Sequence, residues 1–213
     1  MIPVNNFEGI EQKESQYENN HVVIFLLVKP SDNNSGEVIS KFNYLHHKSD
    51  NYCNIYPIGY SEEFYGLYRD AEKVGVIDGK KLEYSDKCFL EFIDSISKRI
   101  PSWKYVEDIQ VVVLQSAIRN GVSKLNFSNY YSLDINYALK KGYIESFAKF
   151  IGYLINSSKS EVDAFNAVRK TNRSRISPKK VIEGAIMMIP KLPKSVKRII
   201  ADRVFFIPSN VKP

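Results

Sequence analysis

Residues 22–28, Val-Val-Ile-Phe-Leu-Leu-Val, are seven consecutive apolar side chains, and Pro30 follows almost at once. Four of the seven are β-branched. A short, continuous, β-branched run reads as a strand, and the lack of polar alternation means that both of its faces are buried. Such a strand needs layers packed above and below it. Seven residues are also far short of the roughly 20 that a membrane-spanning helix needs. The polar stretch 1–20 lacks the basic-then-apolar order of a secretory signal and reads as an irregular arm or a short edge element.

Further elements follow from periodicity. Ser35 is a candidate N-cap, after which Val38, Phe42 and Leu45 share one helical face. Residues 52–58 are aromatic and alternating, which predicts a second strand ended by Gly59. Residues 60–82 carry no clear period because Gly66, Gly75 and Gly79 interrupt it. Ser85 and Asp86 open a helix with Phe89, Ile93, Ile96 and Ile100 at helical spacing. Lys98 and Arg99 suit its last turn, and Pro101 stops it. Residues 109–114 make a third strand around Val111-Val112-Val113.

Helices set between apolar strands imply crossovers. The expected class is therefore α/β, with α+β as the variant: a small mixed or mostly parallel sheet with flanking helices, followed by a helical C-terminal segment. The division falls into an α/β domain over 1–125 and a basic helical region over 126–213, separate or packed on the first as one domain. In the second part, Ile144, Phe147, Ile151 and Leu154 share a face. Ser160 and Asp163 resemble a capping box ahead of Val162, Phe165 and Val168. Ser177-Pro178 and Pro193 open two more helices, and 204–207 suit a short last strand.

Composition matters here because it is uneven. The chain of 213 residues carries a net charge of +6. Residues 1–125 hold 14 basic and 18 acidic side chains, a net of −4, whereas 126–213 hold 16 and 6, a net of +10. Between Arg169 and Arg203 there are 11 basic and two acidic residues, a net of +9. Arg169, Lys170, Arg173, Arg175, Lys179 and Lys180 form the dense part, and Lys194, Lys197 and Arg198 continue it. Lys179 and Lys180 fall in the first turn of the helix that Ser177-Pro178 opens. Free N–H groups, helix dipole and two ammonium groups there suit an anion.

Catalytic motifs are absent. There is no GxSxG elbow, no GxGxxG or GxxxxGK[ST] loop and no CxxC pair in the sequence. His46, His47, Asp50 and Cys53 cluster within eight residues, but adjacent histidines on a helix diverge by about 100°, and the spacing fits no zinc pattern. Cys88 sits near a helix N-terminus, a position that can activate a thiol, yet the only other histidine is the distant His21. Loop 29–36 joins a buried strand to a helix, where α/β folds often bind ligands. Asp32 and Ser35 there serve equally as turn and cap residues. Acid pairs occur at Glu62-Glu63 and Glu107-Asp108.

These readings point to a non-enzymatic binding protein within a larger assembly, with no cofactor, no metal and no transmembrane segment. Its basic C-terminal helices would engage nucleic-acid backbone without sequence specificity. Tyr130, Tyr131, Tyr137, Tyr143 and Tyr153 would be available to stack on bases. The alternatives are an adaptor whose basic end docks on an acidic protein, an anionic lipid surface met by residues 193–203, and an enzyme with a site at the sheet edge. Two isolated cysteines suit a reducing, cytoplasmic setting.

Overall fold

The computed structural model describes residues 1–158 apart from 19–20, 50–52, 120, 143, 153 and 157. The apolar run forms β1 (Val22–Leu27), and every one of its six residues is buried. Its crossover to β2 (Cys53–Pro57) makes a parallel pair, Val22 opposite Cys53 and Leu26 opposite Pro57. On its other side β1 meets β6 (Gln110–Arg119) antiparallel, and β6 turns back into β7 (Val122–Asp134). The sheet order β2-β1-β6-β7 places β1 inside, a position that the sequence pattern left open. Of the two sheet types expected, the mixed one is observed, with a single parallel pair. β7 runs across position 125, so the change in charge there coincides with no break in secondary structure.

The crossover contains two short helices rather than one. These are α2 (Ser35–Ile39) and α3 (Phe42–Ser49). Ser35 is not the cap: Asn34 holds that position at φ 66°, and the Ser35 hydroxyl donates to the Pro30 carbonyl at 2.6 Å. The stripe itself is as the spacing predicted, because Val38, Phe42 and Leu45 are all buried. The second crossover carries α4 (Asp86–Arg99), where the Ser85 hydroxyl accepts from the Cys88 N–H at 3.1 Å. Its buried face is Cys88, Phe89, Phe92 and Ile96.

Two stretches differ from expectation. The arm 1–20 contains α1 (Phe7–Ser15), capped by the Asn6 side chain, which accepts from Gly9 N–H at 2.8 Å. Its buried positions are Phe7, Ile10 and Glu14, spaced i, i+3, i+7. A glutamate holds the third place, which conceals the stripe among the surrounding acids. Residues 60–84, without a readable period, form a second sheet of β3 (Tyr60–Ser61), β4 (Glu72–Ile77) and β5 (Lys80–Tyr84), all antiparallel in the order β3-β5-β4. The β4–β5 turn is Asp78-Gly79 with φ of 50° and 77°, a two-residue hairpin turn whose Asp-Gly signature is visible in the sequence. After β7 the chain enters α5 (Ile135–Lys140), capped by Asp134, and is helical again at 147–152 and 154–156. Among the described residues no helix is long and apolar enough to cross a membrane.

The two sheets are joined at Gly59 and Tyr60. The Tyr60 hydroxyl donates to the Val28 carbonyl at 2.9 Å, and its ring lies 4.9 Å from that of Tyr84. Gly59 has φ 83°, and a Cβ there would lie 2.8 Å from the Phe89 Cβ. Gly59→Ala therefore combines a left-handed backbone with a clash against α4. The expected loss is about 2–4 kcal/mol of unfolding free energy, read from urea denaturation.

Candidate functional site

The loops at the carboxyl ends of β1 and β2 bring several charged groups together. Lys29 N–H donates to Asp32 Oδ2 at 2.7 Å, and Ser35 N–H to the Asp32 carbonyl at 3.1 Å, so the loop after β1 is closed by its own turn bonds. Lys29 Nζ lies 3.3 Å from Asp86 Oδ1 and 5.2 Å from the centre of the Phe89 ring. Asn136, at the start of α5, donates to the Asn33 carbonyl at 2.9 Å and accepts from Asn34 Nδ2 at 3.1 Å. Burial holds the Asp32 carboxyl above its ordinary range, and the nearby Asp108 and Asp86 push the same way against the Lys29 N–H. Asp134 is raised as well, first by burial, while its capping bond to Tyr137 N–H opposes the shift.

This sheet end thus brings Asp32 and Asp86 to Lys29, with Asp108 close to both Asp32 and Asp134. Several carboxylates near one lysine suit turn closure rather than anion capture. Among the described residues no three His, Cys, Asp or Glu groups are arranged to hold a metal ion.

A second polar group lies at the opposite end of β1, and the sequence reading missed it. Glu14 on α1 is fully buried. Its Oε1 accepts from Asn54 Nδ2 at 2.8 Å and from the Tyr56 hydroxyl at 2.6 Å, and its Oε2 lies 2.7 Å from His21 Nε2. The other ring nitrogen, Nδ1, is 2.9 Å from Ser116 Oγ on β6. Proximity to Glu14 and burial drive the Tyr56 hydroxyl upward, burial contributing most. Tyr17 covers the group, its ring 4.6 Å from His21 and its hydroxyl donating to Asn54 Oδ1 at 3.3 Å.

Serine, histidine and glutamate in series is the order of a nucleophilic triad. Here, however, Ser116 is fully buried and its Oγ already accepts the His21 backbone N–H at 3.0 Å. The hydroxyl has no route to a substrate. The arrangement ties α1, β1, β2 and β6 together and acts as a structural lock.

The remaining sequence candidates separate. His46 Nδ1 lies 2.8 Å from the Met1 carbonyl oxygen, His47 is exposed, and Cys53 is buried on β2; Asp50 lies outside the described residues. Burial pushes the Cys88 thiol up to about 12, and its Sγ donates to the Asn5 carbonyl at 3.3 Å. It is therefore a core thiol and no activated nucleophile. Glu62 pairs with Lys80 at 2.9 Å. Tyr130 is buried, with its hydroxyl 3.3 Å from that of Ser102, and so belongs to the core rather than to a stacking surface. Tyr143 and Tyr153 lie outside the described residues. So do Arg169, Lys170, Arg173, Arg175, Lys179, Lys180, Lys194, Lys197 and Arg198.

Two outcomes test this account. Glu14→Ala leaves a buried imidazole and amide without their acceptor, and should cost about 3–5 kcal/mol in denaturant unfolding. Asp32→Asn keeps an acceptor for the Lys29 N–H and removes the charge that burial disfavours. Because the folded-state pKa is raised, ionisation of Asp32 weakens folding as pH rises. The variant should therefore match the parent in acid, where both side chains are neutral, and exceed it in stability at pH 7, as read from melting curves across pH.

Comparison with protein-family models, with curated proteins and with solved structures finds no match to this chain.

Proposed function

We propose that this chain is a non-enzymatic binding protein, a subunit of a larger assembly, in which the basic segment 169–203 engages nucleic-acid backbone without sequence specificity. One observation carries the reading: a net of +9 within Arg169–Arg203, against a net of −4 over residues 1–125. A phosphate chain meeting the protein would be repelled from the carboxylates around Asp32 and attracted to that segment. Two cysteines distant in the chain, both buried, support a reducing compartment such as the cytoplasm.

Binding to short DNA and RNA duplexes, followed by fluorescence anisotropy between about 50 and 200 mM salt, tests it. The expected log affinity falls linearly with log salt. Arg173→Glu/Lys179→Glu/Lys180→Glu should weaken binding by at least about tenfold and flatten the slope by about 2–3. A parent protein that ignores both nucleic acids at about 50 mM salt overturns the proposal. A defined protein complex that survives nuclease treatment would instead assign the basic segment to an acidic protein partner.

A further inference from the structure

The three most exposed large apolar side chains among the described residues are Tyr65, Leu67 and Leu90, at 76%, 64% and 55%. Leu67 and Leu90 line one open groove between the loop after β3 and the outer face of α4. Tyr65 lines a separate depression with Glu62, Lys80 and Lys81. Scattered apolar residues at a surface need no explanation, but two of the three largest exposures gathered in one groove do.

The loop presenting them is held firmly. Phe64 is buried and stacks edge-on against Tyr68 with ring centres 5.1 Å apart, and Leu67 N–H donates to the Phe64 carbonyl at 2.9 Å. The Tyr68 hydroxyl donates to Glu91 on α4 at 2.6 Å. Asp70 accepts from the Ser85 hydroxyl at 2.9 Å and from Lys87 N–H at 3.0 Å. The apolar groups are thus displayed on a preorganised loop, which lowers the entropic cost of covering them.

The charge pattern on α4 names the occupant. Its exposed stripe reads Lys87, Leu90, Glu91, Asp94, Lys98. Lys87 and Asp94 lie two turns apart, about 10.5 Å along the axis, on either side of Leu90 and Glu91. When a second α4 approaches antiparallel about a two-fold axis near Leu90, Lys87 of each copy faces Asp94 of the other and the leucines meet at the centre. A parallel approach would set like charges together. A two-fold interface requires a self-complementary patch of this kind. Lys87 Nζ rests 5.9 Å from the Tyr68 ring and Asp94 pairs with Lys98 at 2.5 Å, so both are exposed charges with room to re-pair.

We propose that two copies of this chain associate through this face, with Leu67 and Leu90 at the centre and the Lys87–Asp94 pairs at the rim. Sedimentation velocity of the full, nuclease-treated chain at about 0.15 M salt reads it directly. The parent should sediment as a dimer at about 100 µM, and Leu67→Asp/Leu90→Asp as a folded monomer, since both positions are exposed. Lys87→Glu alone and Asp94→Lys alone should each weaken dimerisation at least about tenfold, because the axis doubles every change. The double reversal should restore it. Lys87→Glu gains a favourable helix-dipole contact in the first turn of α4 but sets a second acid beside Asp70, so the fold of this variant is checked separately. Circular dichroism confirms the fold in each case. A monomeric parent, a dimer indifferent to the two leucines, or a double reversal as weak as the single ones overturns the pairing.

Discussion

Everything in this molecule is arranged around a strand that cannot touch water. Burial of Ile24, Phe25, Leu26 and Leu27 is worth about 1.5–3 kcal/mol for each side chain, but only when both faces and both edges of β1 are covered. β2 and β6 cover the edges. Helices and the second sheet complete the enclosure: Phe7 of α1 packs edge-on to Phe25, and Tyr60 of β3 closes on the Val28 carbonyl. The mixed strand directions follow from the connections. A crossover through α2 and α3 gives the parallel pair, and a tight β6–β7 hairpin gives one of the two antiparallel pairs, β1 with β6 being the other.

At one end of β1 the enclosure is polar. Glu14, His21, Asn54, Tyr56 and Ser116 come from separate parts of the chain and meet in one buried polar cluster. Such a cluster adds little net stability against an apolar equivalent, yet losing one partner is costly. Its Glu14 carboxylate, accepting from Asn54 and Tyr56, ties α1 to β2. The other end of β1 carries the opposite design. Turn bonds and asparagine contacts close the loops, and the carboxylates around Lys29 remain near the surface, where water moderates their repulsion.

The surface divides by charge along the chain. The described body carries an acidic sheet end and an apolar, charge-alternating helix face, while the strongly basic segment lies further along. Opposite charges attract, so the anionic partner proposed above would compete with the acidic residues of the chain for the basic segment. Association of two bodies through α4 would bring two basic segments into one particle, which raises the effective concentration of phosphate contacts without any new contact chemistry.

Much of the framework could be read from local pattern. The run 22–28 marked a strand buried on both faces, Ser85 and Pro101 bracketed α4, and Val38, Phe42 and Leu45 marked the buried stripe of the crossover. These succeed because apolar spacing reports directly on burial. The pattern failed where burial was not apolar. Glu14 interrupts the stripe of α1, so a helix in the core looks like a polar arm. Asp78-Gly79 sets a hairpin within a stretch whose exposed strands show little alternation. The charge split and the absence of catalytic motifs were likewise sequence properties, needing no coordinates. Only the tertiary structure decided that His21 meets Glu14 and Ser116, that Cys88 is sealed in the core, and that Leu67 and Leu90 share one groove. Each of these joins residues distant in the chain, and a one-dimensional pattern carries no information on which buried polar groups will satisfy one another.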